Sequence, residues 1–305
     1  MTTVSSTSTV TIPSGARAWL LAARPATLPA AVAPVLVGTA VAYRDGHFRA
    51  LPFLAALVAA VLIQIGANFA NDWFDFRKGA DTDARLGPIR VTQSGIFTER
   101  QIARATALAF GLATLVGLYL VAVGGWPILL VGLASIAAGI AYTGGPYPLG
   151  YHGLGDLFVF IFFGVVAVTG TYYVQANAVS GTALAASAPM GLLITAILVV
   201  NNVRDIETDR VAGKRTMAVR IGRRATRVQY ALCVLGSYLF PPIMWTLGAA
   251  SWLFWLPLLT LPVAVRLVRT VGTHVDGPTL NKSLKGTGLL QLVFGVLFAV
   301  CLLVH

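Results

Sequence analysis

The sequence is poor in the side chains on which most soluble enzymes depend. Among its 305 residues, charged side chains make up 11%, and there are only four histidines and two cysteines. Soluble domains carry about 25% charged residues, so this composition excludes an ordinary soluble domain. Cys233 and Cys301 both fall in apolar stretches, where a thiol usually serves as small apolar packing. The pattern therefore argues against a disulfide framework and against thiol chemistry.

Long apolar runs are what the sequence has in abundance, with 57% hydrophobic residues. A run of about 18 residues can cross a hydrocarbon core of about 30 Å as a helix, and barrel strands would alternate instead. Nine runs are present, at Ala26–Ala42, Leu51–Asn68, Ala105–Val123, Trp126–Tyr142, Leu157–Val174, Ala183–Val200, Val228–Leu247, Ala250–Val265 and Gly286–Val304. They predict an all-α integral membrane protein with nine transmembrane helices. Residues 17–305 would form a single transmembrane domain, preceded by a disordered Ser/Thr-rich tail at residues 1–16.

The net charge of +11 could indicate a nucleic-acid partner, but its distribution indicates membrane topology. With nine spans and a cytoplasmic N-terminus, twenty of the 22 Lys and Arg residues fall on the inner side. Arg44 and Arg49 are the two that fall outside. This positive-inside pattern predicts a multi-pass protein that is surrounded by membrane lipid. Its charged loops would face the cytoplasm.

The acidic residues are concentrated in two of these inner loops. Eight of the eleven lie within residues 72–104 and 201–227. At about 100° per helical residue, each loop begins with an oxygen-rich stripe on one helix face. The first stripe is Asn68, Asn71, Asp72 and Asp75, followed after Gly79 by Asp81 and Asp83, and the second is Asn201, Asn202, Asp205 and Asp209.

Facing carboxylates repel one another unless a cation lies between them. Oxygen ligands suit a hard divalent cation, and the lack of Cys or His in the clusters argues against zinc. Magnesium takes few protein ligands and completes its shell with water and phosphate, so a diphosphate substrate is the expected third component. The candidate metal ligands are Asn71, Asp72, Asp75, Asp81, Asn201, Asp205 and Asp209. The candidate diphosphate-binding cations are Arg77, Lys78, Arg90, Arg204, Lys214 and Arg215, each of which could equally mark the membrane interface.

At these residues the chain resembles the UbiA superfamily of membrane prenyltransferases, which carries the motifs N-x-x-x-D-x-x-x-D and D-x-x-x-D on inner loops. Residues 205–209 match the second motif, whereas the first has a longer second gap, from Asp75 to Asp81. That departure is similar to one branch, the 1,4-dihydroxy-2-naphthoate polyprenyltransferases of menaquinone synthesis. Segments 23–29, 71–88, 147–156 and 201–216 also resemble that branch.

The resemblance implies a nine-helix bundle around a central cavity in a bacterial cell membrane. It implies that two Mg2+ ions bridge the Asp motifs and a polyprenyl diphosphate, with Asp75, Asp205 and Asp209 as catalytic residues. The polyprenyl chain would pass to 1,4-dihydroxy-2-naphthoate with loss of CO2 and diphosphate, giving demethylmenaquinol.

Other residues are expected to line the cavity or to assist the acceptor. Tyr142, Tyr147 and Phe162 are candidates for the wall, since aromatic faces attract a developing allylic cation. Gln64 could line the cavity or pack between helices. Asp156 is either a catalytic group that orients the acceptor or acts as base, or a helix cap. Two alternatives stay open: another aromatic acceptor, such as 4-hydroxybenzoate or homogentisate, and a membrane transporter whose acids mark an ion pathway.

Overall fold

The computed structural model describes residues 14–80, 86–87 and 90–304, and these ranges contain helices and turns without a strand. The predicted all-α class is therefore confirmed for the part of the chain described. Most of the predicted tail, up to residue 13, lies outside the described ranges. The helices are α1 (Ala16–Ala23), α2 (Pro29–Arg44), α3 (Ala50–Arg77), α4 (Glu99–Gly124), α5 (Trp126–Ala141), α6 (Gly155–Ala176), α7 (Gly181–Val211), α8 (Met217–Thr246), α9 (Trp252–Thr273) and α10 (Gly277–Leu303).

Seven of these helices, α3, α4 and α6 to α10, are long and apolar enough to cross a membrane. The pair α1 and α2 passes the same test together, although it is bent by 52°. Helix α5 is apolar but has only 16 residues. The protein is therefore a multi-pass membrane protein, with seven or eight spans by length and composition in the described chain.

Local sequence explains where several helices begin. Thr98 accepts a hydrogen bond from the Gln101 backbone N–H while the Gln101 side chain accepts one from the Thr98 N–H, which is a capping box at the start of α4. Ser180, Thr216 and Asp276 cap α7, α8 and α10, because each side-chain oxygen accepts a hydrogen bond from a backbone N–H in the first turn. These caps place the start of each helix within a short polar connection.

Helix α7 lies at the centre of the bundle, since 67% of its most apolar stretch is buried against 22% for α9. Residues of α2, α6, α8, α9 and α10 pack with it in the largest buried apolar cluster of the described chain. Glycines permit the closest approaches: a Cβ on Gly164 of α6 would stand 2.6 Å from the Gly191 Cα of α7. Residues Phe160–Val166 of α6 form a π-helical turn at this contact, a feature often found at functional sites.

The outer surface of the bundle is apolar, as a lipid-facing surface must be. Leu108 and Leu115 of α4 are each 64% exposed, and an apolar face of this extent is rare on a soluble protein. We call the end of the bundle that carries Asp75 and Asp205 the motif end. At the opposite end, the Arg44 guanidinium donates a hydrogen bond of 2.7 Å to the Gly248 carbonyl oxygen and so joins α2 to the turn after α8.

Candidate active site

A cavity of about 500 Å3 runs lengthwise between α2, α3, α4, α5, α6 and α7. Its motif end is polar, and the rest of its length is lined by aliphatic and aromatic side chains with few polar groups. The polar lining at the motif end comprises Arg24, Thr27, Asn68, Asn71, Asp75, Arg90, Tyr142, Thr143, Tyr151, Asn201, Asn202, Asp205, Asp209, Lys214 and Thr216. The cavity thus combines a charged head compartment with an apolar tail compartment.

Asp75 contacts side chains from several parts of the described chain. It lies in the last turns of α3 with 2% of its surface exposed. One carboxylate oxygen accepts a bond of 2.7 Å from Arg90, and the other accepts bonds of 2.6 Å from the Tyr151 hydroxyl and 3.4 Å from Lys214. Because Lys214 follows the second motif, Asp75 joins the two motifs across the cavity.

Asn71 and Asp72 face different ways although they are adjacent in sequence. Asn71 lines the cavity, and its Oδ1 accepts a bond of 3.0 Å from the Thr143 hydroxyl. Asp72 is buried, and its two oxygens accept bonds of 3.2 and 3.1 Å from the backbone N–H groups of Val91 and Thr92. This placement does not support the prediction that Asp72 binds metal; the side chain instead holds the α3–α4 connection against α3.

The second motif lies on the last turns of α7, where Asn201, Asp205 and Asp209 all line the cavity. Arg204 does not line it. Its guanidinium binds the Asp205 carboxylate through both oxygens, with Nε 2.7 Å from Oδ1, and donates a bond of 2.6 Å to Asn281 of α10. Arg204 therefore fixes the position of Asp205 from behind, a role different from the predicted contact with diphosphate.

Among the six predicted diphosphate-binding cations, Arg90 and Lys214 line the cavity, whereas Arg204 and three others do not. Arg77 is exposed and lies 3.3 Å from Glu99. The Lys78 ammonium donates a bond of 2.6 Å to the Thr143 carbonyl oxygen, and partial burial lowers its pKa, with Lys214 adding to that effect and Asp75 opposing it. Arg215 is exposed beyond the helix end.

Asp156 lies buried at the start of α6 without capping that helix. One oxygen accepts a bond of 2.6 Å from Gln229 of α8, and the other a longer one of 3.5 Å from Asn202 of α7. Both oxygens are engaged, and Asp156 is not part of the cavity lining. The geometry therefore favours a role in holding α6, α7 and α8 together over the predicted roles of base or cap.

Three of the four residues predicted to form the cavity wall do line the cavity. Gln64, Tyr142 and Phe162 line the cavity. Tyr147 is 56% exposed and stacks on His152 with ring centroids 3.6 Å apart. Asp81 and Asp83 lie outside the described residues.

Tyr151 is the main site residue that motif spacing did not identify. Its ring lies 5.0 Å from the Lys78 ammonium and 4.7 Å from that of Lys214, and its carbonyl oxygen accepts a bond of 2.8 Å from the Arg215 N–H. It lies within segment 147–156, which carries the family resemblance, but its sequence neighbours are not acidic. Only the fold brings it between the two motifs.

The donor set fits a magnesium site that needs a substrate to complete it. Asn71 and Asp75 of α3 and Asn201, Asp205 and Asp209 of α7 all offer oxygen ligands to the same cavity. Within the described residues, no three Asp, Glu, His or Cys side chains converge closely enough to hold an ion alone. Such an arrangement suits magnesium, because the ion binds few carboxylates and completes its coordination shell with phosphate oxygens and water.

The fold and the site together define a polytopic helical membrane protein with a carboxylate-lined, apolar-backed cavity. Residues 31–285 match the model of the UbiA prenyltransferase family. The chain belongs to the UbiA prenyltransferase family.

Two similar bacterial proteins carry the same name. The chain is 40% identical to the 1,4-dihydroxy-2-naphthoate octaprenyltransferase of Escherichia coli (strain K12), covering 91% of this chain and 94% of that protein. It is also 40% identical to the protein of that name in Mycobacterium tuberculosis, over 92% and 95% of the two chains.

Solved structures share the fold at lower identity. A UbiA homolog from Archaeoglobus fulgidus bound to GPP and Mg2+ superposes with a TM-score of 0.66 at 14% identity, over 94% of this chain and 99% of that one. A UbiA homolog from Aeropyrum pernix K1 gives a TM-score of 0.69 at 14% identity, over 89% and 97%.

Proposed function

We propose that this protein transfers a polyprenyl chain from an allylic polyprenyl diphosphate to 1,4-dihydroxy-2-naphthoate, releasing diphosphate and CO2 and giving demethylmenaquinol. The observation that carries the proposal is the cavity itself, in which two Asn/Asp helix ends meet at the polar end of a long apolar space. A diphosphate fits the first compartment and a prenyl chain fits the second. Relatives that share 40% identity over nearly the whole chain support the naphthoate acceptor.

The orientation in the membrane follows from charge. We infer nine spans, with α5 as a short one and with α1 and α2 together forming one. The motif end would face the cytoplasm of a bacterial cell, because nearly all Lys and Arg residues lie at that end. Residues 17–305 would form one catalytic domain after the tail at residues 1–16.

Two Mg2+ ions would be held by the cavity-lining oxygens of Asn71, Asp75, Asn201, Asp205 and Asp209, with Asp81 as a further ligand. When bound, the metal would neutralise negative charge that develops on the leaving diphosphate.

The chain's own cations would act on the same charge. Arg90 and Lys214 line the cavity and lie within hydrogen-bonding distance of Asp75, so Asp75 would hold both cations beside a bound phosphate. Arg suits a two-point contact with phosphate oxygens, and Lys supplies a point charge. Donors that are already fixed before the reaction stabilise developing charge most effectively.

The transfer step then balances without a further reactant. The allylic carbon–oxygen bond breaks, and its electron pair leaves on the diphosphate. The naphthoate ring carbon that bears the carboxylate bonds to the allylic carbon, and loss of CO2 returns an electron pair to the ring. Phe162 and Tyr142 line this part of the cavity, where apolar walls exclude water and aromatic faces attract the cationic carbon.

The proposal is tested with the purified protein in lipid nanodiscs supplied with Mg2+ and octaprenyl diphosphate. We expect diphosphate release and a prenylated, decarboxylated product, identified by mass spectrometry, with 1,4-dihydroxy-2-naphthoate as acceptor. Parallel reactions with 4-hydroxybenzoate and homogentisate should give little product. Faster transfer to either of these acceptors would replace the naphthoate assignment, and absence of acceptor-dependent diphosphate release would favour the transporter alternative.

Tyr151→Phe is expected to lower kcat/KM by about 10- to 100-fold, the usual range for a group that orients a metal ligand. The variant removes the hydroxyl that binds Asp75 but keeps the ring that lies between Lys78 and Lys214. The Mg2+ concentration for half-maximal rate should rise as well. Tyr147→Phe is the matched control, since Tyr147 is exposed and outside the cavity. Equal losses in the two variants would show that the hydroxyl of Tyr151 has no special role.

A further inference from the structure

The apolar compartment extends from the motif end toward the opposite end of the bundle. Its far wall is made by Leu120 of α4, Ile128 of α5 and Val174 of α6, which pack together in a buried cluster at the opposite end of the bundle. Along α3 the lining extends from Asp75 to Ala56, which at 1.5 Å per residue is about 28 Å. That length accommodates a prenyl chain of several isoprene units beyond its diphosphate.

Three glycines line this compartment at one level. Gly117 lies seven residues before the end of α4, Gly132 six residues after the start of α5, and Gly170 six residues before the end of α6. Each therefore lies about 9 to 10.5 Å from the helix terminus that is farther from the motif end. All three line the cavity, so the three helices present bare backbone toward the same stretch of the space.

Close packing does not explain these glycines. A Cβ on Gly66 would meet the Phe110 ring at 2.8 Å, and one on Gly164 would meet α7 at 2.6 Å. A Cβ on Gly117, Gly132 or Gly170 would find no atom within 4 Å. Glycine costs a helix conformational entropy, and the space that these residues leave open belongs to the cavity.

We propose that Gly117, Gly132 and Gly170 determine the length of prenyl chain that this protein accepts, by keeping the outer third of the compartment wide enough for the distal isoprene units. The inference rests on the proposed prenyl transfer and specifies the chain length of its donor. A larger side chain at this level would fill the path at a fixed depth and leave the polar end unchanged. Short donors would then still bind, whereas long ones would be excluded.

The test compares kcat/KM for octaprenyl diphosphate and geranyl diphosphate, each with 1,4-dihydroxy-2-naphthoate. Gly132→Leu and Gly117→Leu should lower the octaprenyl value by at least about 10-fold, the lower range for steric discrimination in an apolar pocket. The geranyl value should stay close to that of the unmodified protein. Gly170→Leu, on a third helix, should shift the ratio in the same direction.

Gly111→Leu is the matched control for Gly117→Leu. Gly111 lies on the same helix, is exposed on the outside of the bundle, and also has no atom within 4 Å of a Cβ. The control should leave the octaprenyl-to-geranyl ratio unchanged, and thermal unfolding should show that all variants are folded.

An unchanged ratio in Gly132→Leu and Gly117→Leu would overturn the inference, as would equal loss with both donors in folded protein. Failure of the unmodified protein to transfer either chain would count instead against the proposed function.

Discussion

Asp209→Asn is expected to lower prenyl transfer by about 100- to 1,000-fold, the range seen when one group that stabilises developing charge is lost. Asp209 lines the cavity and is only partly buried, so the change should remove a metal ligand without unfolding the protein. Asp75 is a less clear test, because replacing it would leave Arg90 without its buried carboxylate partner. The measurement is the initial rate of diphosphate release at saturating Mg2+.

Glu207→Gln provides the control within the same motif. Glu207 lies between Asp205 and Asp209 in sequence but faces outward, where it pairs with Arg210 at 2.7 Å. An exposed ion pair of this kind contributes little to stability, so the variant should keep nearly full activity. Activity retained in Asp209→Asn, or lost equally in Glu207→Gln, would remove the second motif from the proposed metal site.

Removing divalent cations is expected to stop transfer completely. The cavity-lining carboxylates and amides would then face the diphosphate without a neutralising cation, and ionisation of the allylic bond would lose its electrostatic support. Treatment with EDTA should reduce diphosphate release to background, and added MgCl2 in excess should restore it. Persistence of the reaction in EDTA would contradict the metal-dependent mechanism.

Thermal unfolding gives a reading of the same site that does not depend on turnover. A ligand at about 100 times its Kd stabilises the folded state by about 2.7 kcal/mol. Because substrate oxygens are needed to complete the metal shell, Mg2+ with pyrophosphate should raise Tm more than Mg2+ alone. The shift should disappear in Asp209→Asn and persist in Glu207→Gln. Equal shifts in both variants would place the ion elsewhere.

Helical periodicity predicted which motif residues share one face of a helix. The spacing of Asn71 and Asp75 on α3, and of Asn201, Asp205 and Asp209 on α7, brings each set to one face, and all five line the cavity. The periodicity did not predict the direction of Asp72, which lies at the edge of the first stripe. Asp72 is about 100° around α3 from Asn71, which is enough to turn it from the cavity toward the N–H groups of Val91 and Thr92.

The arginines near the two motifs show a second limit of what residue spacing can predict. From sequence alone, Arg90 and Arg204 were equal candidates for a phosphate contact, since each is a basic residue close to an Asp motif. The structure places Arg90 at the cavity wall and Arg204 behind Asp205, against Asn281 of α10. Nothing in the spacing of residues along one helix tells which neighbouring helix a side chain will meet.

Apolar length and helical phase are local properties of the chain, so the pattern of residues alone predicts a helical membrane protein with two acidic helix ends. Only the packed fold shows that those ends share one cavity, that Tyr151 lies between them, and that Gly117, Gly132 and Gly170 line it at similar depths. These facts depend on how separate helices pack against one another. Packing is set by contacts between residues far apart in the chain, which no local pattern records.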